Sequence, residues 1–391
     1  MCGIAGWINL KENISSNIHI LERMSETLKN RGQDDSGIFL SEHALIAHRR
    51  LSVVDPEGGA QPMIREKNGN TYVIAYNGEL YNTEDLRVIL KERGYSFQSH
   101  SDTEVLLTSY IEWGPECVKY LNGIFAFAVL DERDNSIFIA RDRFGVKPLF
   151  YHFSPNNLFA FASEIKALLK CEGISSKVDR EGFLELMSIG PARTPGCGIF
   201  KDIKELPPAH FMIYSDGNIT IKKYFELKYE EHRENVTDTA YHLKTLLIQA
   251  IDRQLVSDVP LGTFLSGGLD SSIITALTAD SYRKQHSILD TFSLDFEENE
   301  KYFKSSLFQP DSDRLWVEKM VQREGTHHHN IIISNRDTAK TLKIAMQMRD
   351  LPGMADIDSS LYLLCKEVKK TVTVGISGEC ADEVFGGYPW F

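Results

Sequence analysis

The stretch LGTFLSGGLDSSIITAL, residues 261–277, decides the fold of the second half of this 391-residue chain. An apolar strand leads through the pair Gly267-Gly268 into a helical pattern. Backbone N–H groups at such a turn, with the positive end of the helix, form an anion site without a basic side chain. The lysine of the GxxxxGK[ST] phosphate loop is absent. An ordinary tight turn is the alternative, but the run SGGLDSS favours a phosphate-binding loop with Ser266 and Ser271 as hydroxyl donors.

The sequence around this loop alternates helices with apolar strands. Helical runs such as LKTLLIQAIDRQL are followed by strand-like runs such as DTFSLDF, HNIIIS and TVTVGIS. This alternation is typical of parallel β-α units, in which ligands bind beyond the carboxyl ends of the strands. We therefore expect an α/β domain with a parallel sheet over residues 236–391.

Residues 2–226 follow a different pattern, and the charged stretch ELKYEEHRENVTDTA (226–240) marks the linker. Two apolar strands flank an Asp-Asn turn in GIFAFAVLDERDNSIFIARDRFG, and two more flank SPNN in KPLFYHFSPNNLFAFAS. The run DTEVLLTSYIEWG predicts a helix capped by Asp102 and ended by Gly114, and another helix follows from the spacing of Ile18, Leu21, Met24 and Leu28. The simplest architecture is two antiparallel layers with helices outside.

The composition excludes several classes of protein. Apolar residues make up 42% and charged residues 25% of the chain, which is ordinary for soluble globular domains. The net charge of −12 argues against a nucleic-acid-binding surface. No apolar run approaches the ~20 residues that a membrane helix needs, and no signal-peptide pattern is present. We therefore expect a cytoplasmic protein without a nucleic-acid or membrane partner.

Cysteine and histidine patterns do not indicate a metal site. The six cysteines form no CxxC pair, so zinc-ribbon and thioredoxin-type motifs are unsupported. His327, His328 and His329 are consecutive, but adjacent side chains diverge on a strand and splay on a helix. We therefore expect that these histidines do not converge on one ion.

The chain begins MCGIAGW, residues 1–7. Removal of Met1 would leave Cys2 with both a thiol and a free α-amine, and an α-amine with a pKa near ~8 accepts a proton at neutral pH. A terminal nucleophile then carries its own general base. A small buried cysteine of the core is the alternative interpretation of the same residues.

Motifs along the whole chain resemble a known family. SGGLDSS resembles the pyrophosphatase loop of the ATP pyrophosphatases, and SGECADEVFGGY resembles the second loop of the asparagine synthetases. MCGIAGW then resembles the start of a class II glutamine amidotransferase domain. Further family motifs occur in the family's order, namely RGQDDSG, HRRLSVVD, NGELYN, SDTEV, RDRFGVKPLFY and SEIKAL. The resemblance implies an N-terminal nucleophile hydrolase αββα sandwich over residues 2–226 and an incomplete ATP-pyrophosphatase domain, similar to the adenine nucleotide alpha hydrolases, over residues 236–391.

The resemblance also implies an activity. Cys2 would attack the side-chain amide of glutamine to give a glutamyl thioester and ammonia. Aspartate and ATP would form β-aspartyl-AMP, from which ammonia would displace AMP to give asparagine. ATP and Mg²⁺ are the implied cosubstrate and cofactor, and a homodimer is a family expectation. Two alternatives stay open: an amidotransferase of this superfamily that acts on another carboxylate, and a glutaminase whose synthetase half does not function.

The implied residues of the amidotransferase half can be matched one by one. Catalytic positions of the family match Cys2, Asn77, Gly78 and, in the synthetase half, Glu379. Glutamine-binding positions match Arg50, Val53, Val54, Asn77, Gly78, Glu79 and Asp102. Asn77 and the N–H of Gly78 suit an oxyanion hole, and a guanidinium suits the substrate carboxylate. From the residues alone, Arg50 could instead be a surface charge, Asn77 a turn residue and Asp102 a helix cap.

The synthetase half is matched in the same way. ATP-binding positions of the family match Leu265, Ser266, Gly267, Gly268, Asp270, Ser271, Leu294, Ser377 and Gly378. Asp270 and Asp382 match carboxylates that hold magnesium through pyrophosphate. Glu379 matches a carboxylate implicated in forming and aminating the intermediate, which is chemically suitable because attacking ammonia must lose a proton.

The chain departs from the family pattern at three places. Gln33 stands where the family has proline, in a turn without a catalytic role. Cys380 stands where the family has glycine, so we expect a strained backbone or a clash beside the phosphates. The chain ends in PWF shortly after this loop, whereas family members continue with a helical region, so we expect a fragment or a truncated product.

Overall fold

A computed structural model describes residues 1–154, 158–305 and 312–388. The strands in these ranges are β1 (Gly3–Ile8), β2 (Asp35–Leu40), β3 (Ala44–Arg50), β4 (Met63–Lys67), β5 (Asn70–Leu80), β6 (Gly123–Asp131), β7 (Ser136–Arg141), β8 (Phe150–Phe153), β9 (Phe159–Ala162), β10 (Lys204–Glu205), β11 (His210–Ser215), β12 (Asn218–Lys223), β13 (Leu261–Phe264), β14 (Asp290–Phe296), β15 (His327–Ile333) and β16 (Val374–Ile376).

The helices are α1 (Ile18–Thr27), α2 (Thr83–Glu92), α3 (Asp102–Trp113), α4 (Ile165–Leu168), α5 (Arg180–Ser188), α6 (Val236–Gln254), α7 (Leu269–Lys284), α8 (Asn299–Tyr302), α9 (Asp313–Glu324), α10 (Asn335–Arg349), α11 (Asp356–Val368) and α12 (Ala381–Phe385). Short 3₁₀ helices span Ser15–Asn17 and Gly114–Lys119. Among the described residues, no helix has both the length and the apolar character that crossing a membrane requires.

The chain divides into two compact units. The first comprises residues 1–230 together with 349–352, and the second comprises the described residues of 231–348 and 353–391. The first unit contains two antiparallel six-stranded sheets, with the strand orders β10-β8-β9-β1-β3-β2 and β12-β11-β7-β6-β5-β4. The predicted hairpin around the Asp-Asn turn is confirmed as β6 and β7. The predicted SPNN hairpin is confirmed as β8 and β9, although residues 155–157 at its tip lie outside the described residues.

Alternating side chains place these two sheets face to face. On β1, Ile4 and Ile8 pack between the sheets, whereas Ala5 and Trp7 pack with Leu21 of α1 on the outer face. The second sheet repeats this arrangement, because one face of β5 joins the central core and the other packs against α2 and α3. The resulting αββα sandwich confirms the architecture predicted for the N-terminal half.

The second unit contains a parallel four-stranded sheet in the order β15-β14-β13-β16. Its parallel pairing confirms the β-α interpretation of residues 236–391. The loop after β13 and the loop after β16 lie at the same end of the sheet, because these two strands are parallel neighbours. Parallel α/β sheets bind their ligands beyond this carboxyl end of the strands.

Two predicted boundaries were wrong. Ser101, not Asp102, caps α3: Ser101 has an extended backbone and its side chain accepts from the N–H of Thr103, whereas Asp102 is already helical. The linker is also shorter than predicted, because Asn235 caps α6 by accepting from the N–H groups of Thr237 and Asp238, so the helix begins at Val236.

Candidate active sites

Cys2 lies immediately before β1 in the first unit. Its Sγ atom is 3.5 Å from the backbone nitrogen of Leu51, in the loop that follows β3. The Arg31 side chain fixes the backbone at this point, since its Nε–H donates to the carbonyl oxygen of Cys2 at 2.8 Å. Arg31 is held in turn by a 2.9 Å ion pair with Glu164. The thiol is therefore positioned by two chain segments distant in sequence.

Burial controls protonation around this thiol. It raises the pKa of the Cys2 thiol above its ordinary value. It also lowers the pKa of the terminal amine, which belongs to Met1 in this structure, to about 5. An amine with that pKa is unprotonated at neutral pH, although its basicity is low. Burial thus keeps both the thiol and the amine in their neutral forms.

Arg50, at the end of β3, is buried rather than a surface charge. Its guanidinium donates to the carbonyl oxygens of Val54, Asp55 and Pro56, at 3.2, 2.6 and 2.7 Å. The half-buried residues Val53 and Val54 belong to this same loop. Three of the five N–H donors of the guanidinium thus hold the loop.

Asn77 and Gly78 lie on strand β5, next to the edge strand β4, so Asn77 is not a turn residue. The side chain of Asn77 is only 1% exposed, and within the described residues neither its Nδ2 nor its Oδ1 atom has a hydrogen-bond partner. Buried polar atoms are normally paired, so an unpartnered amide carries a cost of about 1–3 kcal/mol. Gly78 has no room for a Cβ atom, which would collide with the carbonyl oxygen of Ile124. An amide held ready in this way suits a ligand oxygen.

The carboxylates of Asp102 and Glu79 lie near the same end of β5. Asp102 accepts from the hydroxyl of Tyr76 at 2.9 Å and from the N–H of Leu80 at 3.2 Å. Burial raises the pKa of Asp102. Burial and the neighbouring Asp102 raise the pKa of Glu79 to about 8. A substrate ammonium placed between these groups would favour their ionised forms and lower both pKa values.

Lys147 is a buried cation that the sequence did not single out. Burial lowers the pKa of Lys147, and the negative charges of the nearby Glu79 and Cys2 partly oppose this shift. Asp142 holds the backbone here by accepting from the N–H groups of Val146 at 3.0 Å and Lys147 at 3.0 Å. In the sequence, the burial of Lys147 is indicated only by its position between apolar residues in the run GVKPLF.

Glu79→Gln is expected to remove a pH-dependent loss of stability from the first unit. The pKa of Glu79 is raised from 4.5 to about 8. Its contribution to the free energy of unfolding is therefore fully present below pH 4.5, and it is lost as the pH rises through 8. The free energy of unfolding of the variant should exceed that of the parent by about 2–4 kcal/mol at pH 9 and equal it near pH 4.5.

Denaturant titrations at both pH values measure this difference. Glu66→Gln, on the exposed face of β4 in the same sheet, is the matched control and should change neither value. A Glu79→Gln chain that follows the parent at both pH values would show that Glu79 is ionised in the folded protein.

The loop SGGLDSS joins β13 to α7 as predicted, with Gly268 as the helix cap. The hydroxyls of Ser266 and Ser271 lie 3.0 Å apart, and Ser271 also accepts from the N–H of Ser266. Gly267 has a φ of +83°, which glycine adopts without strain. The N–H of the buried Leu265 donates to Phe292, and Leu294 lies further along the same neighbouring strand, β14.

The second loop contacts the first. A Cβ atom on Gly378 would lie 3.1 Å from the Cβ of Asp270 and 3.2 Å from the backbone nitrogen of Ser271. A side chain at this position would require the first loop to shift by a few tenths of an ångström. The hydroxyl of Ser377 accepts from the N–H of Glu379 at 3.2 Å. The structure thus brings together predicted residues of both loops, with Asp382 following on α12.

Cys380 caps α12 with a φ of +71°, a left-handed conformation. The expectation of a strained backbone at this position is therefore confirmed. Such a conformation costs a residue with a Cβ atom about 1–2 kcal/mol. The thiol is exposed to solvent.

Cys380→Gly is expected to stabilise the second unit by about 0.5–1 kcal/mol, because relief of strain exceeds the extra entropy of an unfolded glycine. Denaturant unfolding of the chain measures the change. Cys380→Ala is the control: it removes the thiol but keeps the Cβ atom, so it should give no gain. Equal gains in both variants would place the cost in the thiol rather than in the backbone.

As expected, the three consecutive histidines do not all converge. His328 points away and bonds to the hydroxyls of Thr291 and Ser293. His327 and His329 converge on Asp290 of the adjacent strand. The sequence argument compared neighbours and did not consider that residues two apart on a strand share a face.

Comparisons with known proteins match both halves of the chain. The family model described as a glutamine amidotransferase domain matches residues 1–225, and the model described as asparagine synthase matches residues 242–391. A protein of Methanocaldococcus jannaschii that carries the asparagine synthetase name is 32% identical over 99% of this chain and 76% of its own length. The chain belongs to the glutamine-hydrolysing asparagine synthetase family.

Two members of this family from Bacillus subtilis are more similar. Asparagine synthetase [glutamine-hydrolyzing] 3 of Bacillus subtilis is 53% identical over 100% of this chain and 64% of its own length. Asparagine synthetase [glutamine-hydrolyzing] 1 of the same organism is 34% identical over 99% of this chain and 59% of its own length. The chain thus spans about three fifths of the length of these two relatives.

Proposed function

We propose that this chain hydrolyses glutamine at the first site and uses the ammonia to convert aspartate to asparagine at the second, with cleavage of ATP to AMP and pyrophosphate. The observation that carries the proposal is the buried, unpartnered amide of Asn77, on the strand next to Gly78 and Glu79. Within the described residues no hydrogen-bond partner accounts for this amide, whereas it would stabilise an oxyanion.

Each group of the first site has a part in this proposal. After removal of Met1, the α-amine of Cys2 takes the thiol proton, and the sulfur attacks the amide carbon of glutamine. Asn77 and the N–H of Gly78 stabilise the oxyanion. The guanidinium of Arg50 binds the α-carboxylate, and Asp102 binds the α-ammonium. Val53, Val54 and Glu79 line the same substrate pocket.

The second site is assigned to the nucleotide. Backbone groups of Leu265, Gly267, Gly268, Leu294 and Gly378 bind ATP, and the hydroxyls of Ser266, Ser271 and Ser377 donate to it. The close approach of Gly378 to Asp270 supports a shared phosphate cradle. Glu379 accepts a proton from the attacking ammonia.

Magnesium fits the residues present, because carboxylate oxygens are its preferred ligands. Asp270 and Asp382 would hold the ion together with the phosphates, and the bound ion would neutralise phosphate charge. This assignment, like that of the nucleotide, rests on the two loops and on the family resemblance.

The proposal extends to the organisation of the chain. Residues 2–226 form the glutaminase domain and residues 236–391 belong to the synthetase domain. Since the glutaminase domain needs glutamine and the synthetase domain needs ATP, we place the protein in the cytoplasm. We propose no nucleic-acid or membrane partner. A homodimer is an expectation from the family, which sedimentation of the purified chain would test.

Ammonia and AMP are the products to measure. The purified chain is incubated with glutamine, aspartate, ATP and Mg²⁺, and each component is omitted in turn. We expect ammonia whenever glutamine is present and AMP only when aspartate and ATP are present together. Absence of ammonia from a chain whose Met1 has been removed would contradict the assignment of Cys2.

Glutamine hydrolysis alone is a second candidate, favoured by the exposed, left-handed Cys380 in the nucleotide loop. In that case the parent chain would give ammonia without AMP. Restoration of aspartate-dependent AMP by Cys380→Gly would identify this residue as the cause. An amidotransferase that acts on another carboxylate would instead form AMP with an acceptor other than aspartate.

A further inference from the structure

We propose that Asp290, His327 and His329 form a binding site for one divalent transition-metal ion of the zinc class. The three residues come from two adjacent parallel strands of the second unit, β14 and β15. Asp290 and His327 are the first residues of these strands and pair directly in register. His329 lies two residues after His327, so both imidazoles project from the same face.

The ligand atoms already lie close together. The Nδ1 atom of His327 is 2.8 Å and the Nε2 atom of His329 is 2.7 Å from the same oxygen, Oδ1 of Asp290. All three atoms lie within 4.8 Å of one another. Ligands of a tetrahedral zinc ion with bonds of about 2.0–2.2 Å stand roughly 3.3 Å apart. Binding therefore needs the carboxylate oxygen to move away from each imidazole nitrogen by about half an ångström. It also needs the two imidazole nitrogens, which lie within 4.8 Å of each other, to approach by up to about 1.5 Å.

The donor set and its support suit such an ion. Two imidazoles and a carboxylate are typical ligands of zinc and of other late first-row divalent ions, and are softer than the oxygen set that magnesium prefers. The ring of His329 stacks on the buried Phe292 at 4.8 Å and 13°, which fixes its orientation. The His327 side chain is 68% exposed, so a water molecule can complete the coordination.

This site is separate from the nucleotide loops. Asp290 begins β14, whereas Leu294 lies four residues further along the same strand, a distance of about 13 Å. The nucleotide loops follow the opposite, carboxyl ends of β13 and β16. The ion would therefore join β14 to β15 and stabilise the sheet, without taking part in phosphate chemistry.

Zinc is the probe for a direct test. The full chain is titrated with Zn²⁺ by calorimetry after its accessible thiols are alkylated, so that thiolate binding is not counted. We expect one ion per chain, and a weakening of at least about tenfold in His327→Ala, His329→Ala and Asp290→Asn. His242→Ala removes an exposed histidine of α6 and is the matched control, which should leave the affinity unchanged.

A second measurement does not depend on the folding of variants. In the parent chain labelled with ¹⁵N-histidine, Zn²⁺ should shift the Nδ1 resonance of His327 and the Nε2 resonance of His329, and leave His328 unchanged. Zn²⁺ should also raise the unfolding temperature of the parent but not of the variants. Zinc-induced shifts on other histidines, or equal affinity in the parent and the His329→Ala chain, would overturn the proposal.

Discussion

Cys2→Ala is expected to release ammonia from glutamine at least about 10⁴ times more slowly than the parent chain. The alanine cannot form the thioester, so hydrolysis would depend on binding and the oxyanion donors alone. Stability should change little, because the thiol packs against the backbone of Leu51 without a strong hydrogen bond. Continuous measurement of ammonia under saturating glutamine determines the ratio.

Cys197→Ala is the matched control for this substitution. Cys197 is also a free, half-buried cysteine of the first unit, but it lies far along the chain from the proposed site. Ammonia release should be unaffected by its removal. A Cys2→Ala chain that keeps the parent rate would remove the nucleophile from the account and leave Cys2 as a packing residue.

Asn77→Leu is expected to lower kcat for ammonia release by about 10²–10³, because it removes one oxyanion donor. The same change should raise the free energy of unfolding of the first unit by about 1–2 kcal/mol, since it replaces two buried unpartnered polar atoms with an apolar group of similar size. Opposite effects on rate and stability are typical of a residue kept for function. Steady-state kinetics and denaturant unfolding measure the two effects.

Asn9→Leu, directly after β1 in the other sheet of the first unit, provides a contrast. Asn9 is buried too, but its Oδ1 atom accepts from the N–H groups of Lys11 and Glu12 at 3.0 and 3.1 Å. Its replacement should destabilise the first unit and leave the ammonia rate unchanged. If Asn77→Leu destabilised the chain as Asn9→Leu does, the amide of Asn77 would have a structural partner and its proposed role would be lost.

Local sequence patterns predicted most of the fold. The loop SGGLDSS lies between strand and helix as its apolar and glycine pattern predicted, and the alternating residues of the first half predicted two packed sheets. The identity of the α3 cap was missed by one residue because both Ser101 and Asp102 are suitable cap residues. Their roles depend on the backbone dihedral angles and on the distant Tyr76, to which Asp102 turns.

Long-range proximity was the part that the sequence could not supply. Arg31 and Lys147 lie in recognisable motifs, but their closeness to Cys2 follows from the packing of segments far apart in the chain. The same holds for Asp290 and the two histidines, since nothing in their spacing reveals which strands pair or in what register. Burial, which sets the pKa of Glu79 and of the terminal amine, is likewise a property of the packed sheets.

The most direct test of the proposed function follows the nitrogen atom. The chain, with Met1 removed, is incubated with glutamine labelled with ¹⁵N in its side-chain amide, together with aspartate, ATP and Mg²⁺. NMR of the products should show ¹⁵N in the side-chain amide of asparagine, formed in equal amount with AMP. If the label appeared only as free ammonium while aspartate and ATP stayed intact, the synthetase claim would be contradicted and only glutamine hydrolysis would stand.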